Sequence, residues 1–204
     1  VCLSGEDTQF RQLDIARNSR ITTTLGGAER CHSVLNGLNA LQAEADDNDW
    51  VLVHDVARPC VRSDDIRKLL RDVENANAIG GILANPVRDT MKRSNTQNQI
   101  IETVCRNQLW HALTPQLFRL GQLRTALQSA LDDNALVTDE ASALERAGHQ
   151  PLLVEGHPDN IKITHPQDLP LAALFIQQQS LLSPASASSS PSLSTQSPST
   201  HEDA

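Results

Sequence analysis

Tyrosine is missing altogether, and two tryptophans and three phenylalanines are the only aromatic residues among 204. So few rings exclude the stacking platforms on which single-stranded nucleic acids are held. Positive charge is also short: 17 Lys plus Arg stand against 25 Asp plus Glu, a formal net charge of −8. With no basic block there is no footprint for a nucleic-acid backbone, although a small anionic ligand held by a few local cations stays open. No apolar run is long enough to span a bilayer and no basic-then-apolar leader is visible, so the visible chain reads as soluble, without a membrane partner. The four cysteines, Cys2, Cys31, Cys60 and Cys105, show no CxxC spacing, and no Cys/His cluster has metal-ligand spacing. Neither a zinc site nor a disulfide scaffold is expected, and reduced thiols in a cytosol-like compartment fit best.

What is present is 39% hydrophobic residues, enough for one core of ordinary size, expected over residues 1–179. Periodicity predicts strands at 1–3, 20–25, 50–54, 80–84, 151–154 and 161–163, and helices at 8–17, 29–42, 63–75, 139–147 and 167–179. That alternation is the pattern of βαβ units and a mostly parallel sheet. Residues 87–92 and 100–104 break it, reading as a hairpin with little apolar content of its own. An isolated hairpin is marginal in water, so a second copy of the chain is the expected support, with Trp110 either anchoring that contact or lying in the core. Thr114-Pro115 reads as the entry to a helical run reaching residue 131, Thr138 as a helix cap, and Gly148 as a helix stop. From 180 to 204 the composition turns to Ser, Pro, Ala and Thr, which predicts a disordered tail.

One stretch organises the rest: Trp50-Val51-Leu52-Val53-His54-Asp55-Val56-Ala57-Arg58-Pro59-Cys60. Its β-branched run reads as a strand buried on both faces, and Pro59 takes the chain out of any ladder. Asp55 and Arg58 therefore sit at a strand's carboxyl end, where open α/β sheets bind ligands. An Asp55–Arg58 ion pair that merely caps the strand is the plainer alternative. Gly26-Gly27, between a strand and a helix start, allows close backbone approach to an anion, and is equally an ordinary turn. The turn-rich loop at 155–160 delivers Asp159 and Lys162 to one place.

The chain resembles the 2-C-methyl-D-erythritol 4-phosphate cytidylyltransferases of the non-mevalonate isoprenoid pathway. The resemblance rests on motifs in order: Gly26-Gly27-x-Glu29-Arg30-x-x-Ser33-Val34; Val53-His54-Asp55-x-Ala57-Arg58-Pro59; Pro86-Val87-x-Asp89-Thr90-x-Lys92; Arg106-x-x-Leu109-Trp110; Thr114-Pro115-Gln116; Thr138-Asp139-Glu140-Ala141; and Gly156-x-x-x-Asn160-x-Lys162-x-Thr164. It implies an α/β, Rossmann-like nucleotidyltransferase fold with a β-arm at about 86–110 that crosses to a second subunit of a homodimer. It also implies cytidylyl transfer from CTP to methylerythritol phosphate with release of pyrophosphate, assisted by Mg²⁺ or another divalent cation, in a bacterial cytoplasm or a plastid. Carried over by position, Gly27, Ser33, Asp55 and Val56 lie on the cytidine and phosphate side, and Asp55 and Asp159 are the candidate metal ligands. Asp55, Arg58, Arg106 and Lys162 are the candidate catalytic residues. Thr90 and Arg106 would reach from the arm into the neighbour's site, and Thr114, Thr138 and Lys162 would line the sugar-phosphate pocket.

The family's first strand and Gly-rich phosphate loop, with its Arg and nearby Lys, have no counterpart here, and a start at Val1 inside a strand-like Val-Cys-Leu reads as a fragment. Impaired activity of the chain as it stands is the expectation. Val56 in place of Ala, Ala28 in place of an acidic residue and Cys105 in place of Asp are smaller departures. A pentitol-phosphate cytidylyltransferase and a non-catalytic dimerising remnant are the alternatives.

Overall fold

Short strands separated by amphipathic helices make up the computed structural model of the protein, which describes residues 1–182. In chain order the elements are β1 (Cys2–Leu3), β2 (Thr24–Leu25), α1 (Arg30–Leu41), β3 (Trp50–Val53), α2 (Ser63–Asn75), β4 (Gly80–Pro86), β5 (Met91–Ser94), β6 (Ile100–Val104), β7 (Trp110–Arg119), α3 (Leu120–Asp132), α4 (Glu140–Arg146), β8 (Leu152–Glu155) and α5 (Asp168–Leu182). The main sheet has the order β3-β7-β4-β8. β7 pairs antiparallel with both β3 and β4, while β4 and β8 are parallel, so three strands share one direction and β7 alone opposes it. A separate parallel pair joins β1 to β2.

Alternation along the strands divides the core into two layers. On one face Ile82 and Phe118 pack with Leu35 and Leu38 of α1, Leu123 and Leu127 of α3 and Leu144 of α4. On the other, Leu83 and Leu117 pack with Leu69 and Val73 of α2 and Val154 of β8. Leu35 and Leu38 recur at helical spacing, as do Leu69 and Val73, and each fully buried Leu or Val contributes on the order of 1.5–3 kcal/mol. Gly80 is required where β4 and β7 press together: a Cβ there would lie 2.2 Å from Phe118 Cδ1.

Several sequence expectations are corrected. Residues 8–17 form two short 3₁₀ turns broken at Leu13, which is extended at φ −75°, ψ 142°. Neither turn buries a residue, so no packed face sustains an α-helix there. β3 is an edge strand with Leu52 38% exposed, not one buried on both faces. Thr114-Pro115 lies inside β7, the longest strand and one of the two inner strands of the main sheet, and helix α3 begins only at Leu120. Residues 161–163 form no ladder, although the Ile163 N–H donates to the Ala57 carbonyl at 2.8 Å. Asp139, not Thr138, caps α4, in a reciprocal capping box with Ser142. Gly148 does stop that helix, at φ +86°. α5 continues three residues past Gln179 to Leu182, and the rest of the expected tail lies outside the described residues.

The hairpin β5–β6 pairs only with itself. It carries Ile100 at 67% and Ile101 at 61% exposure. Trp110, at its base, packs against the first core layer. Among the described residues no helix is long and apolar enough to cross a membrane, and all four cysteines are free.

Candidate active site

At the end of β3 the chain turns sharply, the Arg58 N–H donating to the Asp55 carbonyl at 2.9 Å. The turn throws Val56 to the surface, 95% exposed, and brings the Asp55 and Arg58 side chains inward with 4.0 Å between Oδ2 and Nε. The expected pair therefore exists, but it is the loosest of three contacts. Arg30, the first residue of α1, places Nε 3.0 Å from Asp55 Oδ1, and Lys162 places Nζ 3.1 Å from Oδ2. Burial alone would raise the Asp55 carboxyl; Arg30 and Lys162 outweigh it and hold the group below the usual carboxylate range. Burial, with Arg30 adding repulsion, lowers Arg58 against the pull of Asp55.

Arg30 serves a second carboxylate. Its Nη atoms grip both oxygens of Glu140 at 2.5 and 3.0 Å, and Glu140, first residue of α4, is 1% exposed. Burial pushes the Glu140 carboxyl up, and the Arg30 fork opposes that rise. The starts of α1 and α4 and the end of β3 thus meet through one guanidinium.

Thr114 fixes the turn from β7. Its hydroxyl oxygen accepts from the Asp55 N–H at 3.0 Å and lies 2.9 Å from His54 Nδ1. His54 Nε2 lies 3.0 Å from the Arg58 carbonyl, which can only accept, so the network assigns the proton to Nε2 and makes Nδ1 the acceptor of the threonine hydroxyl. Burial lowers the pKa of His54, which suits that neutral form. From the 155–164 loop, Asn160 closes the ring: its side-chain amide donates to the Thr114 carbonyl at 2.8 Å, and its carbonyl accepts from Arg58 Nη1 at 2.9 Å. Arg58 Nε and Asn160 Oδ1 are buried with no hydrogen-bond partner among the described residues, two polar atoms pointing to a polar ligand.

Other expected residues fall elsewhere. Gly27 and Ser33 are bonded to each other across the start of α1, the Gly27 N–H donating to Ser33 Oγ at 2.9 Å. Thr138 is exposed, and its N–H donates to Ser142 Oγ at 3.2 Å. Thr90 and Arg106 are exposed on the arm, where Arg106 donates to the Arg88 carbonyl and not to the Asp55 cluster. Asp159 joins a different cluster: Arg62 Nε and Gln179 Nε2 both donate to its Oδ2, at 2.9 and 3.0 Å. Burial would raise the Asp159 carboxyl, but these donors outweigh it and lower its pKa. Its Oδ2 thus ties the start of α2 to α5, while its Oδ1 is buried with no hydrogen-bond partner among the described residues. Reading the sequence assigns Arg30, Glu140 and Asn160 no role; their one signal is that each stands inside a motif segment.

Comparison with known proteins bears on the same segments. The family model described as 2-C-methyl-D-erythritol 4-phosphate cytidylyltransferase matches residues 1–178. A protein of that name from Serratia proteamaculans is 54% identical over 179 residues, covering 87% of this chain and 74% of its own length. Another from Photorhabdus laumondii is 52% identical over 184 residues, 88% of this chain and 76% of that one. A crystal structure of a 4-diphosphocytidyl-2C-methyl-D-erythritol synthase superposes with a TM-score of 0.76 at 41% identity, over 86% of this chain and 79% of the other. The Francisella tularensis 2-C-methyl-D-erythritol 4-phosphate cytidylyltransferase superposes at 0.73 with 42% identity, over 78% and 73%.

Proposed function

The chain belongs to the 2-C-methyl-D-erythritol 4-phosphate cytidylyltransferase family, and from that premise we propose that it transfers the cytidylyl group of CTP to 2-C-methyl-D-erythritol 4-phosphate in isoprenoid precursor synthesis in a bacterial cytoplasm. An oxygen of the acceptor's phosphate forms a bond to the α-phosphorus of CTP. The bond from that phosphorus to the pyrophosphate bridging oxygen breaks, and pyrophosphate leaves with the electron pair. Such a displacement asks the protein to hold anions in line and to neutralise growing charge.

The observation that supports this reading is the convergence of Arg30, Arg58 and Lys162 on Asp55 at the carboxyl end of β3. The Lys162 side chain is 44% exposed, so it can leave Asp55 for an incoming phosphate. Arg58, at 12% exposure and tied to Asn160, offers a fixed charge instead. Thr114, whose hydroxyl is engaged by the turn, acts by holding Asp55 in place. Gly27, Ser33 and Val56 are assigned to the cytidine side, Thr138 to the sugar phosphate, and Thr90 and Arg106 to the site of a second copy in a homodimer.

A divalent cation fits Asp55, an ionised carboxylate of the kind that Mg²⁺ uses singly alongside substrate phosphates. Asp55 would hold it, and the ion would neutralise phosphate charge there. Asp159 is assigned a structural part instead, its Oδ2 joining Arg62 to Gln179.

Pyrophosphate release from CTP, with Mg²⁺ and protein made from the complete reading frame, tests the proposal. Methylerythritol phosphate should support release and ribitol phosphate should not. Equal release with both would overturn the substrate assignment, and none with either, from folded protein, would overturn the activity.

A further inference from the structure

The start of α1 carries a set of side chains that the reaction above does not use. Glu29, Cys31 and His32 bring one ligand atom each to within 4.8 Å of one another. Cys31 Sγ lies 3.8 Å from a Glu29 carboxylate oxygen and 3.8 Å from His32 Nδ1. Around a tetrahedral zinc ion, sulfur at about 2.3 Å and nitrogen or oxygen at about 2.0–2.2 Å are separated by roughly 3.5–3.6 Å. The two edges from Cys31 are a few tenths of an ångström longer, and the Glu29 and His32 ligand atoms lie within 4.8 Å of each other, so closing on an ion draws those two side chains together.

Two features show that these side chains are directed toward one another. Glu29 occupies the N-cap position of α1, yet its side chain makes no capping hydrogen bond; its carboxylate turns to the thiol instead. Cys31 is 7% exposed and belongs to the first core layer, so its sulfur is held in place by packing. Spacing alone passes over this set, because ligands at i, i+2 and i+3 around a helix start match no familiar Cys/His pattern.

We propose that Glu29, Cys31 and His32 bind a borderline-soft divalent cation of the zinc class, at a position separate from Asp55. Thiolate with imidazole and carboxylate selects Zn²⁺ or Co²⁺ over Mg²⁺. Binding displaces the Cys31 thiol proton to solvent, with His32 neutral, and leaves a fourth position for water. The ion would also fix the backbone beside it, because His32 packs directly on Gly27: a Cβ at Gly27 would lie 2.2 Å from His32 Cβ.

The test uses Co²⁺ and Zn²⁺ alone, with the full chain carrying Cys2→Ser and Cys105→Ser so that the two exposed thiols cannot contribute. One Co²⁺ per chain should bind with a thiolate-to-cobalt charge-transfer band, and Zn²⁺ should displace it. Loss of a ligand's outer-shell partner typically weakens a metal site roughly 10- to 100-fold, so His32→Ala and Glu29→Gln, at more accessible positions, should each weaken Zn²⁺ by at least about tenfold. Cys31→Ala should abolish the band. A band that persists in Cys31→Ala, unchanged affinity in folded His32→Ala, or no saturable binding by the parent would each overturn the proposal.

Discussion

Arg30 grips both oxygens of Glu140, at 2.5 and 3.0 Å, while its Nε reaches Asp55 at 3.0 Å. One guanidinium therefore satisfies a carboxylate that is 1% exposed and a second at the strand end. Replacing Arg30 by Gln leaves Glu140 buried without its cation. Breaking a buried pair in this way costs about 3–5 kcal/mol, and the low end applies because the Arg30 side chain is 35% exposed. Adding Glu140→Gln should recover part of that loss, as two amides can bond without charge. Urea unfolding of the single and double variants checks this; a double variant as unstable as Arg30→Gln would sink it.

Asp55→Asn separates a site residue from a strand cap. Turnover should fall at least about a hundredfold, the scale of losing one preorganised electrostatic group. Stability should change by only about 1–2 kcal/mol. Parallel losses in the two would return Asp55 to the capping role.

Asp159 gives the opposite expectation. Arg62→Ala removes a donor to a carboxylate that is 6% exposed and should cost about 1–3 kcal/mol of stability, with turnover at saturating CTP within about twofold of the parent. Because the folded pKa of Asp159 is depressed below 3.8, its stabilisation is present above pH 3.8 and is lost as pH falls through the lower folded value. A strong Mg²⁺-dependent loss of turnover in Asp159→Asn would restore it as a metal ligand.

His54 supplies a pH signature nearer neutrality. Its folded pKa is lowered from 6.5, so the unfolded chain binds the proton first and stability declines as pH drops below about 6.5. Burial drives this shift; the hydrogen bond to the Arg58 carbonyl and the Asp55 charge oppose it, and the Arg58 charge adds to it. The urea midpoint should fall between pH 7.5 and pH 5.5, and His54→Asn should flatten the decline. An unchanged slope would remove His54 from the account.

The arm can be tested by mixing subunits. Arg106→Ala and Asp55→Asn should each be nearly inactive, but random heterodimers should regain about a quarter of parent activity if arms cross, since one site in each heterodimer is then intact. No recovery on mixing would place Arg106 in its own chain's site.

The sequence makes Asp55 and Arg58 legible because Pro59 and the preceding apolar run mark a strand end without any tertiary knowledge. Arg30 and Glu140 are different: they stand 110 residues apart, and each reads locally as an ordinary charge in the first turn of a helix. β7 was hidden for a related reason. Leu113, Leu117 and Phe118 are all buried because the strand is covered on both faces, so the period of two disappears and Thr114-Pro115 mimics a helix entry. The family resemblance, by contrast, was readable from the motif segments alone, and the comparisons carry it over residues 1–178.

The register of β7 also has a meaning for the site. Ile82 faces Gln116 and Ala84 faces Ala112, so five residues of one strand travel alongside three of the other. The surplus takes Thr114 out of strict pairing with β4 and leaves its carbonyl to Asn160 and its hydroxyl to the Asp55 turn. A shorter β7 that matched β4 residue for residue would make the more regular sheet and leave the Asp55 turn without the Thr114 hydroxyl. The sequence keeps the unequal count, and that small mismatch in length ties two distant loops to a single point on β7.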